Sequence, residues 1–185
     1  GSNKILKRMN RVYTVEKYLK LVEKIRAAIP NVNLTTDLIV GFPGETEEQF
    51  QELLDFLDEA QFDRLGAFAY SPEEDTPAAV MPDQIDEEVK QERLDRLMRH
   101  QAEISLHRNR LRVGETVRTL ILGKNDAGLY EGRSERERSE ERRVGKETDG
   151  VILIDPARAP VLNPGQFVQV RLTEADYYDM RGVLA

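Results

Sequence analysis

The chain has 185 residues, with 27 Lys and Arg against 34 Asp and Glu for a net charge of −7, and it contains no cysteine. That length allows one domain or two small ones, and a hydrophobic fraction of 39% is enough for a packed core, which argues against wholesale disorder. No apolar run approaches the roughly 20 residues that span a bilayer, and the absence of thiols excludes a disulfide framework, a thiolate metal site or a catalytic cysteine within this chain. A soluble, cytoplasmic protein with no membrane partner is expected, and a first residue of Gly1 reads as a chain that was processed, tagged or cut from something longer.

Residues 4–29 carry helix signals. Thr14 is a candidate N-cap, Val15, Tyr18, Leu19, Val22, Ile25 and Ile29 recur at helical spacing, and Pro30 ends the run. The stretch is basic, with Lys4, Lys7, Arg8, Arg11, Lys17, Lys20, Lys24 and Arg26 against Glu16 and Glu23. It reads as a solvated helical face or, more sharply, as an anion contact. Val32 to Val40 is β-branched and apolar around a single Asp37, the pattern of a strand buried on both faces. Gly41-Phe42-Pro43-Gly44 must be a loop, Thr46 with Gln49 forms a capping box, and Phe50, Leu53, Leu54, Leu57 and Ala60 make one apolar helical stripe. A second strand follows from Arg64 to Tyr70. Strand, loop, helix and strand in this order form a parallel βαβ unit, so the fold class here is α/β.

Past an acidic loop at Glu73-Glu74-Asp75, a long helix should start near Asp86 and reach about Arg110, with Leu94, Leu97, Ile104 and Leu111 as a narrow apolar stripe. His100 and His107 lie one heptad apart on it, but no third ligand accompanies them, so no metal is assigned. Short strand-like runs then appear at 116–122, 129–133, 150–154, 166–173 and 179–184, which suggests a small Greek-key or OB-like barrel. The domain boundaries follow as 1–111 and 112–185. One segment, 134–147, holds five basic and five acidic residues with Val144 as its only large apolar side chain, and should be a mobile loop. Its core, Arg138 to Glu147, resembles a translated sequencing-adapter oligonucleotide inserted between two regular strands.

In a βαβ architecture ligands sit beyond the carboxyl ends of the strands, where helix N-termini leave backbone amides free. Val40 to Thr46 lies at such an end. Its two glycines would let backbone approach a ligand and Phe42 would offer an aromatic face, although the same residues also suit a plain βα turn; the P-loop ending is missing. Asp37, alone in a buried strand, is either a hydrogen-bonded structural carboxylate or a barrel-interior site residue. Tyr70 and Ser71 would line the same mouth.

Asp37-Leu38-Ile39-Val40-Gly41-Phe42-Pro43-Gly44-Glu45-Thr46-Glu47-Glu48, followed by Phe62-Asp63-Arg64 and by Tyr70-Ser71-Pro72-Glu73-Glu74-Asp75-Thr76-Pro77-Ala78-Ala79, resembles the C-terminal half of a radical S-adenosylmethionine (SAM) methylthiotransferase. Lys7-Arg8-Met9-Asn10-Arg11 with Tyr13-Thr14 fits the same family, and the C-terminal barrel, with Thr173-Glu174-Ala175-Asp176, resembles its TRAM domain. The resemblance implies the C-terminal part of a partial TIM-like barrel followed by an all-β OB-like TRAM barrel. Two branches of the family are similar: one modifies an adenosine of tRNA (MiaB-like), the other an aspartate of small-subunit ribosomal protein S-twelve (RimO-like). Tyr70 to Glu74, Ile104-Ser105-Leu106 and Thr148 to Val151 are closer to the RimO-like branch. Residues 112–185 hold 12 Lys and Arg against 13 Asp and Glu, and a near-neutral barrel suits a basic ribosomal protein better than RNA.

The resemblance also implies SAM and two four-iron-four-sulfur clusters, one held by a CxxxCxxC motif and one by three further cysteines, all of which this chain lacks. Alone it should therefore be inactive, with no catalytic residue of its own. Its implied contribution is the adenosine-facing part of the SAM pocket, Val40, Gly41, Phe42 and Tyr70, together with Asp37, and with Arg11 toward the methionyl carboxylate. Half a barrel leaves strand edges unpaired, so an aggregation-prone product is expected. A reading of another class is a cluster-free binding module.

Overall fold

The computed structural model describes residues 1–134 and 150–185. The chain divides into two compact units, Gly1–Ile104 and Ser105–Ala185. The charged loop expected to be mobile and adapter-derived lies outside the described residues, apart from Ser134.

The first unit opens with two helices, α1 (Asn3–Arg8) and α2 (Val15–Ala28). Thr14 caps α2 as its sequence position suggests, its side chain accepting from the Lys17 amide. Strand β1 (Thr35–Val40) leads through the glycine loop into α3 (Glu47–Ala60), and β2 (Arg64–Ala69) follows. Both halves of the Thr46/Gln49 capping box form, at 3.1 and 3.3 Å. β1 and β2 pair in parallel, with Asp37 opposite Gly66 and Val40 opposite Ala69. Phe50, Leu53, Leu54, Leu57 and Ala60, the whole expected stripe of α3, are buried, and they pack with Val22, Val40, Phe62, Leu65, Leu97 and Ile104. Tyr18 meets Phe56 and Phe62 edge-on in the same core. The basic run of the first helices is mostly solvated, but Arg26 donates to the carbonyls of Ala60 and Gln61 at 2.7 and 2.6 Å. A cation thereby satisfies the C-terminal carbonyls of α3.

Two expectations fail here. β1 is not buried on both faces: Thr35, Asp37 and Ile39 alternate as exposed residues, because helices cover one side of a sheet that has only two strands among the described residues. Helix α4 (Glu87–Leu111) has the expected length, but Leu111 is 67% exposed and does not continue the stripe. The buried face instead runs Lys90, Arg93, Leu97, Gln101, Ile104, so its first turns press cations inward.

In the second unit five strands, β3 (Thr116–Lys124), β4 (Tyr130–Ser134), β5 (Ile152–Ile154), β6 (Phe167–Ala175) and β7 (Met180–Leu184), close into a barrel in the order β3-β4-β5-β7-β6. Every neighbouring pair is antiparallel except β5 with β7. This is the OB-like closure expected from the strand spacing. Ile121, Tyr130, Ile152, Ile154, Leu162, Val170, Leu172 and Met180 fill it. Tyr130 keeps its hydroxyl satisfied by accepting from the Leu162 amide at 3.2 Å.

Candidate functional site

The carboxyl ends of β1 and β2 meet where the Tyr70 amide donates to the Val40 carbonyl at 2.8 Å, extending the strand pairing by one step. Phe42 and Tyr70 stack edge to face there, ring centroids 5.3 Å apart. Val40, Gly41, Phe42 and Tyr70 are thus brought together as one mouth.

How that mouth is held differs from the expectation of free backbone amides. The Gly41 amide donates to Glu45 Oε1 at 2.9 Å, the Glu45 amide to the Phe42 carbonyl at 2.9 Å, and the Gly44 amide to the Asp83 carbonyl at 2.8 Å. Gly41 and Gly44 both have positive φ, +73° and +75°. A Cβ on Gly41 would collide with the Lys90 stem, and one on Gly44 with the Arg8 guanidinium. Both glycines therefore make room for the chain's own side chains. Phe42 is likewise buried, with an edge on Tyr70 instead of an open face.

Glu45 is the hub of this arrangement. It is 6% exposed and lies against Arg93, whose Nη1 donates at 3.0 Å both to Glu45 Oε1 and to the Glu45 carbonyl. Burial pushes the Glu45 carboxyl above its ordinary range, opposed by the Gly41 amide and the Arg93 guanidinium, which favour the charged form. From the next turn of α4 inward, Lys90 Nζ donates to the Tyr70 carbonyl at 3.0 Å and to Glu87 at 2.7 Å. Lys90 and Arg93 were not singled out in the sequence, and Glu45 was read only as part of the loop. The signal available was a Lys and an Arg three apart, in phase with Leu94, Leu97 and Ile104 of the helix stripe.

Arg11 and Asp37 lie elsewhere. They line a cavity of about 100 Å³ with Tyr13, Ile39 and Glu45, and this cavity includes none of Val40, Gly41, Phe42 or Tyr70. Asp37 is exposed on the open face of the sheet, its carboxylate over Gly66, where a Cβ would strike it. Its expected burial is thereby corrected: the side chain lies on the exposed face of the strand, so no buried partner is required of it. An acid and a guanidinium on one cavity suit the ammonium and carboxylate of an amino-acid moiety, whereas the space at the two glycines is taken by the Lys90 stem and the Arg8 guanidinium. Iron–sulfur clusters do not fit this chain, which has no thiolate. Among the described residues no His, Asp and Glu group is arranged for a metal, and no helix is long and apolar enough to cross a membrane.

Residues 1–57 match the family model of the radical SAM superfamily. The chain is 45% identical over 183 residues to the ribosomal protein uS12 methylthiotransferase RimO of Geobacter sulfurreducens, covering 98% of this chain and 39% of that protein. It is 47% identical over 184 residues to the protein of the same name from Pelotomaculum thermopropionicum, and 44% identical over 187 to that from Desulforamulus reducens. The chain spans about two fifths of the length of these relatives. Over nearly its whole length this chain is thus similar to part of the RimO-like radical SAM methylthiotransferases.

Proposed function

We propose that the chain is the cofactor-mouth and barrel portion of an enzyme that adds a methylthio group to an aspartate of small-subunit ribosomal protein uS12. The observation that carries this reading is identity of 45% over 98% of the chain to a relative named for that activity. In it, Val40, Gly41, Phe42 and Tyr70 face the adenosine of SAM, Arg11 takes the methionyl carboxylate, and Asp37 lies toward the ammonium. SAM supplies the radical chemistry when bound beside a cluster, and the clusters belong to sequence outside this chain. The chain alone is inactive, the first unit serves the cofactor, the OB-like TRAM barrel takes the protein substrate, and the whole works in the cytoplasm.

A tRNA-modifying reading has one observation in its favour. Phe167 is 52% exposed on the barrel and Arg118 stacks on its ring at 4.1 Å, with Arg171 also exposed on β6. Titrating the purified chain with uS12 and with an anticodon stem-loop at rising salt decides between them. Saturable uS12 binding with weak RNA binding is expected; RNA binding that falls steeply with salt would transfer the proposal to tRNA. Sequencing the coding DNA upstream of Gly1 tests the remainder, the expected result being an in-frame CxxxCxxC and a further cysteine-bearing domain.

A further inference from the structure

We infer that Lys90 and Arg93 are positioning residues for the mouth: from one buried helix face they fix the loop after β1 and the chain after β2 relative to one another. The inference rests on the reading that this mouth takes the adenosine end of SAM, and it adds two residues that would never touch the ligand.

Three observations carry it. Lys90 and Arg93 are each 6% exposed, which is rare for such side chains unless they are paired. Their engagements are divided between the two strand ends. Arg93 holds Glu45 by backbone and side chain at 3.0 Å, and Glu45 in turn holds the Gly41 amide at 2.9 Å. Lys90 holds the Tyr70 carbonyl at 3.0 Å. Finally, the fit is mutual, since Gly41 lacks the Cβ that would strike the Lys90 stem. Gly41 and Tyr70, two of the residues assigned to the ligand, are therefore each tied to α4 by a charge-assisted bond or by one intermediary. A site whose backbone must meet a flat ring closely loses affinity when its supports are left loose, even though no ligand contact is removed.

The test uses the 185-residue chain, isotopically labelled, with S-adenosylhomocysteine as probe and the amide signals of Gly41, Phe42 and Tyr70 as readout. Lys90→Met keeps the stem against Gly41 and removes only the ammonium; Lys90→Arg restores a donor. Expected are probe-dependent shifts at the three amides of the parent, about tenfold weaker binding in Lys90→Met, as for the loss of one bond to a charged group, and recovery in Lys90→Arg. A purely structural role would lower the melting temperature without this pattern of loss and recovery. Probe affinity in Lys90→Met equal to that of the parent overturns the inference and leaves the cofactor reading standing. A parent whose three amides never respond overturns the cofactor reading, and the inference with it. Should Lys90→Met lose its fold, Arg93→Lys decides: weakened binding with dispersed signals supports the positioning role, and unchanged binding overturns it.

Discussion

The two-stranded sheet of the first unit and the barrel of the second are made of similar strands, yet different forces hold their ends. In the barrel each of the five strands is paired on both sides, so backbone ladders and an apolar filling of Ile121, Ile152, Ile154, Val170 and Leu172 suffice. In the sheet, β1 and β2 pair only with each other among the described residues, and one face leaves Ile39 and Phe68 at 37% and 46% exposure. There the strand ends are held by two side chains of α4, Arg93 on Glu45 from 48 residues away in sequence and Lys90 on the Tyr70 carbonyl from 20. Closure makes a strand insensitive to single polar contacts; an open sheet makes its functional end depend on them.

The largest effect that could break this comparison is at the buried ion pair. Arg93→Met should cost about 3–5 kcal/mol in urea denaturation, because the Glu45 carboxylate would stay buried without its cation. Ile121→Ala, at a fully buried barrel position, should cost about 2–5 kcal/mol by transfer and cavity terms. The signature differs. The first should perturb the Gly41 and Tyr70 amides strongly, whereas the second should spread modest shifts through the barrel ladders.

Gly41→Ala comes next. It combines a positive φ with a collision against the Lys90 stem, and about 1–3 kcal/mol is expected. Gly41→Ala with Lys90→Ala should recover only the part due to the collision, and a double-mutant cycle measures that part directly. Full additivity would mean that the helix does not press on this loop.

Acidity sharpens the comparison without a large free energy. The Glu45 carboxyl is raised above its ordinary 4.5 by burial, so the folded state binds that proton more tightly than the unfolded chain. Its contribution to stability is most favourable below about 4.5 and declines as pH rises through the elevated native value. Glu45→Gln removes this decline, so the stability difference between parent and variant should move in the parent's favour on acidification. Glu16 and Glu48, exposed and lowered by hydrogen bonds, run the other way in both proteins and cancel from the difference.

Much of the barrel was legible because its information is local. Alternating apolar residues and punctuating glycines placed all five strands within a few residues, and every core side chain but Leu162 sits on its own strand's inward face. The α3 stripe and both helix caps were legible for the same reason. Asp37 was misread because a short apolar run has the same composition whether one face or both are covered, and coverage is a tertiary fact. The glycine loop was found as a place of close approach, but spacing cannot say what approaches, and in the structure the Lys90 stem and the Arg8 guanidinium do. Lys90 and Arg93 escaped notice because basic residues on a charged helix are ordinarily solvated.

The smallest effect separates local from long-range support most cleanly. Thr46 starts α3 one residue after Glu45, and its capping box is complete at 3.1 and 3.3 Å. Thr46→Ala removes one acceptor for the Gln49 amide and should cost about 1 kcal/mol. The clamp does not use that acceptor, since Gly41 and Arg93 reach Glu45 through its own carboxylate and carbonyl. Amide exchange at Gly41 and Tyr70 should therefore stay as in the parent while exchange in the first turn of α3 accelerates. A cap variant that loosened Gly41 as much as Arg93→Met would show that the helix start, and not the distant cation, holds the mouth.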